Sequence, residues 1–201
     1  MDVFTHLEIA KAINRKLKAD FSVRLHTAGF FYGMIKPDFS FQFKKIRHYQ
    51  GDSLDFIQQE IKRLWEMDDS LKFSREFAES LGVVAHFIVD YFCFPHTRHF
   101  QGNLLIHVIY EIRLALFCQI NVHILNSQIN VHILNSQIGQ ESEVFIKDYV
   151  DFVQYLENLQ KEYSGTKASH HQDLSFAIKA SMDICLAIIF AGKVKKVAGA
   201  A

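Results

Sequence analysis

The segment Gly82-Val83-Val84-Ala85-His86-Phe87-Ile88-Val89-Asp90-Tyr91-Phe92-Cys93-Phe94-Pro95-His96 constrains this chain more than any other. Its surroundings are almost wholly apolar, so it belongs in a core, and its spacing predicts a long helix from about Leu71 to Phe92. Yet it carries an imidazole and a carboxylate four residues apart, where side chains share one helical face and can converge on one ion. An unpaired carboxylate is expensive to bury, so Asp90 demands a cation or donors nearby. Pro95 stops the helix and sets His96 just past its end. A second pair of the same spacing, His107 and Glu111, follows on a predicted helix from about Leu104 to Cys118. Three imidazoles and two carboxylates on adjacent helices form a ligand set that zinc takes in catalytic rather than structural sites.

The rest of the chain also reads as helical. Two prolines in 201 residues leave few breakers. Thr5-His6-Leu7-Glu8 has the capping-box pattern, which predicts a helix starting at Thr5. Ile9, Ala10, Ile13 and Leu17 form its apolar stripe, and His6 falls on that stripe, pointing inward. From Phe21 to Tyr49 the period weakens and Gly29, Gly33 and Pro37 punctuate it, so loop with short helical turns is expected. Asp52 or Ser53 caps the next helix, which carries Leu54, Ile57, Ile61, Leu64 and Trp65. Val144 to Leu159 and Leu174 to Ile189 supply two more, and a tail from Lys193 to Ala201 frays. No interior linker divides the composition, so residues 1–201 are expected to form a single all-α domain of six or seven helices.

Residues 120–128 and 129–137 are the same nonapeptide twice, INVHILNSQ. Nine residues are two and a half helical turns, so a continuous helix would put the copies on opposite faces. A solenoid needs three or more repeats, and the duplication reads as a local insertion between helices, with a short hairpin as the alternative.

Composition narrows the function classes. With 49% apolar residues the chain can bury a core, and 22 basic against 22 acidic side chains leave no net charge for polyanion binding. Nucleic acid is therefore a disfavoured partner. Cys93, Cys118 and Cys185 are widely spaced, without a CxxC pair, and read as buried thiols in a reducing compartment. The first residues carry charges throughout, unlike a secretory signal, and Ile184 to Gly192 is too short to cross a bilayer. A cytoplasmic location is the expectation.

Taken with an early His6, the Pro37-Asp38 dipeptide and His48 before a helix, the His86/Asp90–Pro95–His96 segment and the His107/Glu111 pair resemble the zinc-dependent phospholipase C family, an all-α fold that also includes single-strand-specific zinc nucleases. The resemblance implies that His6, Asp38, His48, His86, Asp90, His96, His107 and Glu111 are ligands of two or three zinc ions in a cleft between helices. It implies that Asp90 bridges two ions, that His96, His107 and Glu111 hold another, and that Asp38 is both ligand and general base. The implied activity is hydrolysis of a phospholipid or other phosphodiester by zinc-activated water. Three carboxylates against two or three Zn²⁺ leave a net positive site suited to that substrate. Glu111, where the nuclease branch has aspartate, favours the phospholipase side. A nuclease would need stacking aromatics and basic strand contacts, and a third reading is a structural or regulatory metal protein without turnover. The chain departs from secreted members, which use the amino group and carbonyl of a mature N-terminal tryptophan as zinc ligands, by beginning Met1-Asp2.

The remaining candidates carry less. His99 reads as a solvated loop residue, His123 and His132 belong to the duplication, and His26, His170 and His171 have no partner motif. Phe30, Phe31, Tyr32, Phe39, Phe41 and Phe43 are expected to pack around the site, with peripheral contact to a lipid head group or membrane surface as the alternative.

Overall fold

The computed structural model describes residues 1–43, 45–121 and 149–198. They form seven α-helices, and no strand occurs among them: α1 (Val3–Asp20), α2 (Thr27–Phe39), α3 (Gln50–Glu66), α4 (Arg75–Tyr91), α5 (Leu104–Ile120), α6 (Tyr149–Ser164) and α7 (His170–Ala198), with a 3₁₀ turn at Phe94–His96 between α4 and α5. The protein is all-α, as its patterning predicts.

Helix α4 is the centre of the bundle. Every residue from Leu81 to Tyr91 is buried, as expected of a helix that is apolar all round. It packs against α1, α2, α3 and α7. Its start is later than the predicted Leu71, because the Ser74 hydroxyl accepts from the Phe77 amide at 3.1 Å and caps the helix there. It ends at Tyr91, and Pro95 falls in the 3₁₀ turn that follows.

Helix α2 corrects the expectation of loop between Phe21 and Tyr49. Phe30, Met34 and Pro37 are buried at helical spacing, and Pro37 sits inside the last turn of the helix. His26, which had no predicted role, caps it: the Gly29 amide donates to His26 Nδ1 at 3.1 Å. The glycines read as punctuation are instead points of close approach. A Cβ on Gly33 would lie 2.0 Å from the Glu79 carbonyl oxygen, and one on Gly82 would lie 2.4 Å from that of Phe30. Only glycine lets the α2 and α4 backbones touch this closely.

Helix α1 starts at Val3 rather than Thr5. Asp2 takes the N-cap, accepting from the Thr5 amide at 2.8 Å, so Thr5 lies buried within the helix and Glu8 pairs with Lys11 at 2.6 Å instead of capping. Helix α3 begins at Gln50, before the predicted caps, and Ser53 bonds the Tyr49 carbonyl and the Tyr91 hydroxyl, both at 2.9 Å. Helix α7 continues to Ala198, past the predicted fraying point at Lys193. The nonapeptide duplication beyond Asn121, with His123 and His132, and the Val144–Phe145 start predicted for the sixth helix lie outside the described residues.

Cys93, Cys118 and Cys185 are free and buried. The aromatic group of α2 and its sequel splits: Phe30 and Phe43 join the core, while Tyr32, Phe39 and Phe41 are exposed. His99 is exposed, as predicted. Among the described residues, no helix is long and apolar enough to cross a membrane.

Candidate metal centre

All eight residues singled out in the sequence gather at one place, around Asp90. Helix α4 presents His86 and Asp90 one turn apart, both fully buried. Helix α1 brings His6, the end of α2 brings Asp38, and the segment before α3 brings His48. The 3₁₀ turn delivers His96, and α5 delivers His107 and Glu111. Helical spacing supplies each pair within an element, and the touching backbones of α2 and α4 bring separate elements into register.

The tautomer of His86 can be read from its surroundings. Its Nδ1 lies 2.8 Å from the Met34 carbonyl oxygen, which can only accept, so Nδ1 carries the proton. In the neutral ring Nε2 is then the lone-pair nitrogen, and it faces Asp90 Oδ2 at 3.3 Å and Asp38 Oδ1 at 3.7 Å. Lone pair against carboxylate is repulsive unless a proton or cation lies between. An imidazole whose far nitrogen donates to a backbone carbonyl is the usual state of a metal-ligating histidine.

Asp90 is surrounded on both oxygens. The Met1 amino nitrogen contacts Oδ1, joined by His6 Nε2 at 3.3 Å and His96 Nδ1 at 3.5 Å. His48 Nδ1 reaches Oδ2 at 2.8 Å. Burial would raise the Asp90 carboxyl, but the Met1 amino group and His96, His6 and His86 hold it well below its usual range. His6, stacked on His86 with ring centroids 4.0 Å apart, is pushed down to about 3 by burial and then by His86. His96 is lowered by burial and the amino group. Burial would also lower His48, yet the carboxylates of Asp90 and Asp38 outweigh it and raise the imidazole. Neutral His6 and His96 are in the form that binds metal.

A second cluster adjoins the first. His96 Nε2 lies 3.2 Å from His107 Nε2, and both lie 3.1 Å from Glu111 Oε1. Burial would raise Glu111, but the bonds from His107 and His96 hold it far below its usual range. Zinc with tetrahedral bonds of about 2.0–2.1 Å holds neighbouring ligand atoms about 3.3 Å apart, close to the edges of this triangle.

These residues fit a metal on a further count. Among the described residues His6 Nδ1 is buried without a hydrogen-bond partner, and the contacts of His6 Nε2, Asp90 Oδ2 and His96 Nδ1 with their charged neighbours lack hydrogen-bond geometry, a costly state for buried polar atoms. Zinc would relieve it. Ligand atoms of His6, Asp38 and His86 lie mutually within 4.8 Å, as do those of His48, Asp90 and His96. Over them opens a cleft of about 280 Å³ lined by Met1, Asp38, His48, Tyr49, His96, His107 and Glu111.

Two neighbours were not foreseen as part of this cluster. The Met1 amino nitrogen, besides contacting Asp90, lies 3.2 Å from Glu111 Oε1, and the carboxylates of Asp90 and Glu111 with Cys93 raise it well above its usual range despite burial. Cys93 Sγ lies within 4.8 Å of ligand atoms of His96 and Glu111, and burial drives the thiol upward. Sequence marks Cys93 only as an apolar-flanked thiol. Its approach to Glu111 comes from the packing of the turn on α5.

The sequence model of the family described as zinc dependent phospholipase C matches residues 5–170, a span that holds all eight residues. The chain belongs to that family. Its zinc-dependent phospholipase C pattern thus extends well past Glu111, to the first residue of α7. No curated protein and no solved structure matches the chain. Zinc dependence and hydrolysis are what the family's description carries.

Proposed function

We propose that this protein is a zinc-dependent phosphodiester hydrolase of the phospholipase C type, with two or three zinc ions held by His6, Asp38, His48, His86, Asp90, His96, His107 and Glu111. The observation that carries this reading is the convergence of imidazole and carboxylate ligand atoms from separate elements on one largely buried point. His96, His107 and Glu111 form a triangle of zinc-like dimensions, and His86 aims a lone pair at two carboxylates.

Bound zinc supplies an activated water nucleophile and neutralises charge on the phosphoryl oxygens. Met34 holds His86 in its ligating tautomer. Asp90, reached on both oxygens, would be the residue shared between two ions. Asp38, at the cleft with its side chain 22% exposed, is raised by burial, which makes it a better proton acceptor from water than an ordinary aspartate. Phe39 and Phe41, exposed beside Asp38, suit approach to a lipid surface, so a phospholipid head group is the substrate class favoured.

The test is metal analysis of the purified protein, with assays on a phosphorylcholine diester and on single-stranded DNA. Bound zinc with turnover of the choline diester is expected. Turnover of DNA alone would replace this reading with a nuclease, and bound zinc without any turnover would point to a structural or regulatory metal protein. Protein that stays metal-free after zinc is added would overturn the site altogether. Asp38→Asn is expected to cut kcat at least 100-fold while keeping the fold and most of the zinc. Full activity in that variant would remove Asp38 from the base role.

A further inference from the structure

Asp173 lies in the first turn of α7, beyond the span matched by the family, and is fully buried. Burying a carboxylate is costly, and this one is supported by three donors. Oδ2 accepts from the Phe94 amide at 3.0 Å and from the Tyr110 hydroxyl at 2.9 Å, while Oδ1 accepts from the Tyr163 hydroxyl at 2.7 Å. The helix N-terminus adds a favourable dipole.

Two of those donors are placed with consequence. Phe94 opens the 3₁₀ turn that ends in His96. Tyr110 sits on α5 between His107 and Glu111. A single carboxylate oxygen therefore ties the turn that delivers one imidazole to the helix that delivers another imidazole and a carboxylate. The rings of Phe94 and Tyr110 also meet, 5.8 Å between centroids. Across the same junction the His96, His107 and Glu111 donor atoms converge to 3.1–3.2 Å.

We propose that Asp173 is a positioning residue of the metal centre, holding the His96 turn and the His107/Glu111 helix at the separation that lets all three bind one ion. The proposal rests on the metal reading above. It places in α7, outside the matched span, a group on which the affinity of one particular ion depends. Among the described residues, Asp173 hydrogen-bonds no ligand side chain. It acts through the backbone of Phe94 and the hydroxyl of Tyr110.

The test uses the zinc-loaded full chain and three variants, Asp173→Ala, Asp173→Asn and Tyr110→Phe. Zinc affinity is read by chelator competition, and thermal unfolding is read after zinc is stripped. Asp173→Ala should bind one ion about 10–100-fold more weakly, the size of effect typical when a group supporting a ligand is lost. Asp173→Asn keeps an acceptor oxygen and should recover part of the loss. Tyr110→Phe keeps the ring and should weaken the same ion several-fold with little change in the stripped protein's Tm. A role in folding alone would lower that Tm and leave zinc affinity at the wild-type value, which overturns the proposal. If Asp173→Ala does not fold, Tyr110→Phe decides, and unchanged zinc affinity there overturns it equally. Wild-type protein that takes up no zinc would overturn the metal reading and this proposal together, whereas zinc-binding wild type with unaltered variants overturns this proposal alone.

Discussion

At the scale of single residues, burial keeps two of the imidazoles of the centre, His6 and His96, neutral. His6 shows the consequence for stability. Its folded pKa of about 3 lies below the ordinary value of 6.5, so between those values the unfolded chain binds a proton that the folded chain refuses. The contribution of His6 to the stability of the zinc-stripped protein then falls as pH drops below 6.5, by about 1 kcal/mol per pH unit. His96, also lowered, acts in the same direction. His48 is raised, so its stabilisation is already complete below 6.5 and is lost only above it, leaving no opposing slope in this window. Urea denaturation of stripped protein between pH 6.5 and 5 would measure the slope, and His6→Gln should reduce it. A flat profile would show that His6 is not held neutral. The stripe of α1 marks His6 only as an inward-facing residue, whereas the spacing of His86, Asp90, His107 and Glu111 marks them as candidate ligands. Nothing marks Met34, because its contribution is a backbone carbonyl and any side chain could have stood there.

At the scale of elements, the legible helices were those with a clean apolar period, and the misread one was α2. Gly29, Gly33 and Pro37 look like breakers when only local preference is considered. Burial against α4 overrides that preference, and the two glycines remove the Cβ atoms that would keep the helices apart. This contact carries the Met34 carbonyl to His86, so packing and site are coupled. Gly82→Ala is expected to destabilise the stripped protein by about 3 kcal/mol, the upper range for overpacking, since its Cβ would meet backbone rather than a yielding side chain. It should also weaken zinc binding by shifting Met34 and Asp38. Thermal unfolding and chelator competition on the variant read both effects, and a Gly82→Ala protein as stable as wild type would mean that the helices are not so tightly apposed.

At the scale of the whole molecule, charge and metal are joined. Asp38, Asp90 and Glu111 stand among five imidazoles at the middle of the bundle, with α1, α2, α4 and α5 all contributing. A cation bound there links four helices. Zinc at 100 times its dissociation constant stabilises by about 2.7 kcal/mol per ion, which for a chain of this size raises Tm by roughly 5–10 °C. Differential scanning fluorimetry with and without a chelator would test this, and a Tm indifferent to zinc would contradict a centre shared among helices. By itself the sequence determined the all-α class and marked His86, Asp90, His96, His107 and Glu111 as a candidate ligand set, because helical period and the cost of an apolar-flanked carboxylate are local properties, while His6, Asp38 and His48 joined that set only through the resemblance to the family. Only the tertiary structure decided that the eight converge, that α2 is a helix touching α4, and that Asp173 braces His96 and α5. Those outcomes depend on contacts between residues far apart in the chain, and an alternation of apolar and polar residues says which face is inward without saying what it will meet.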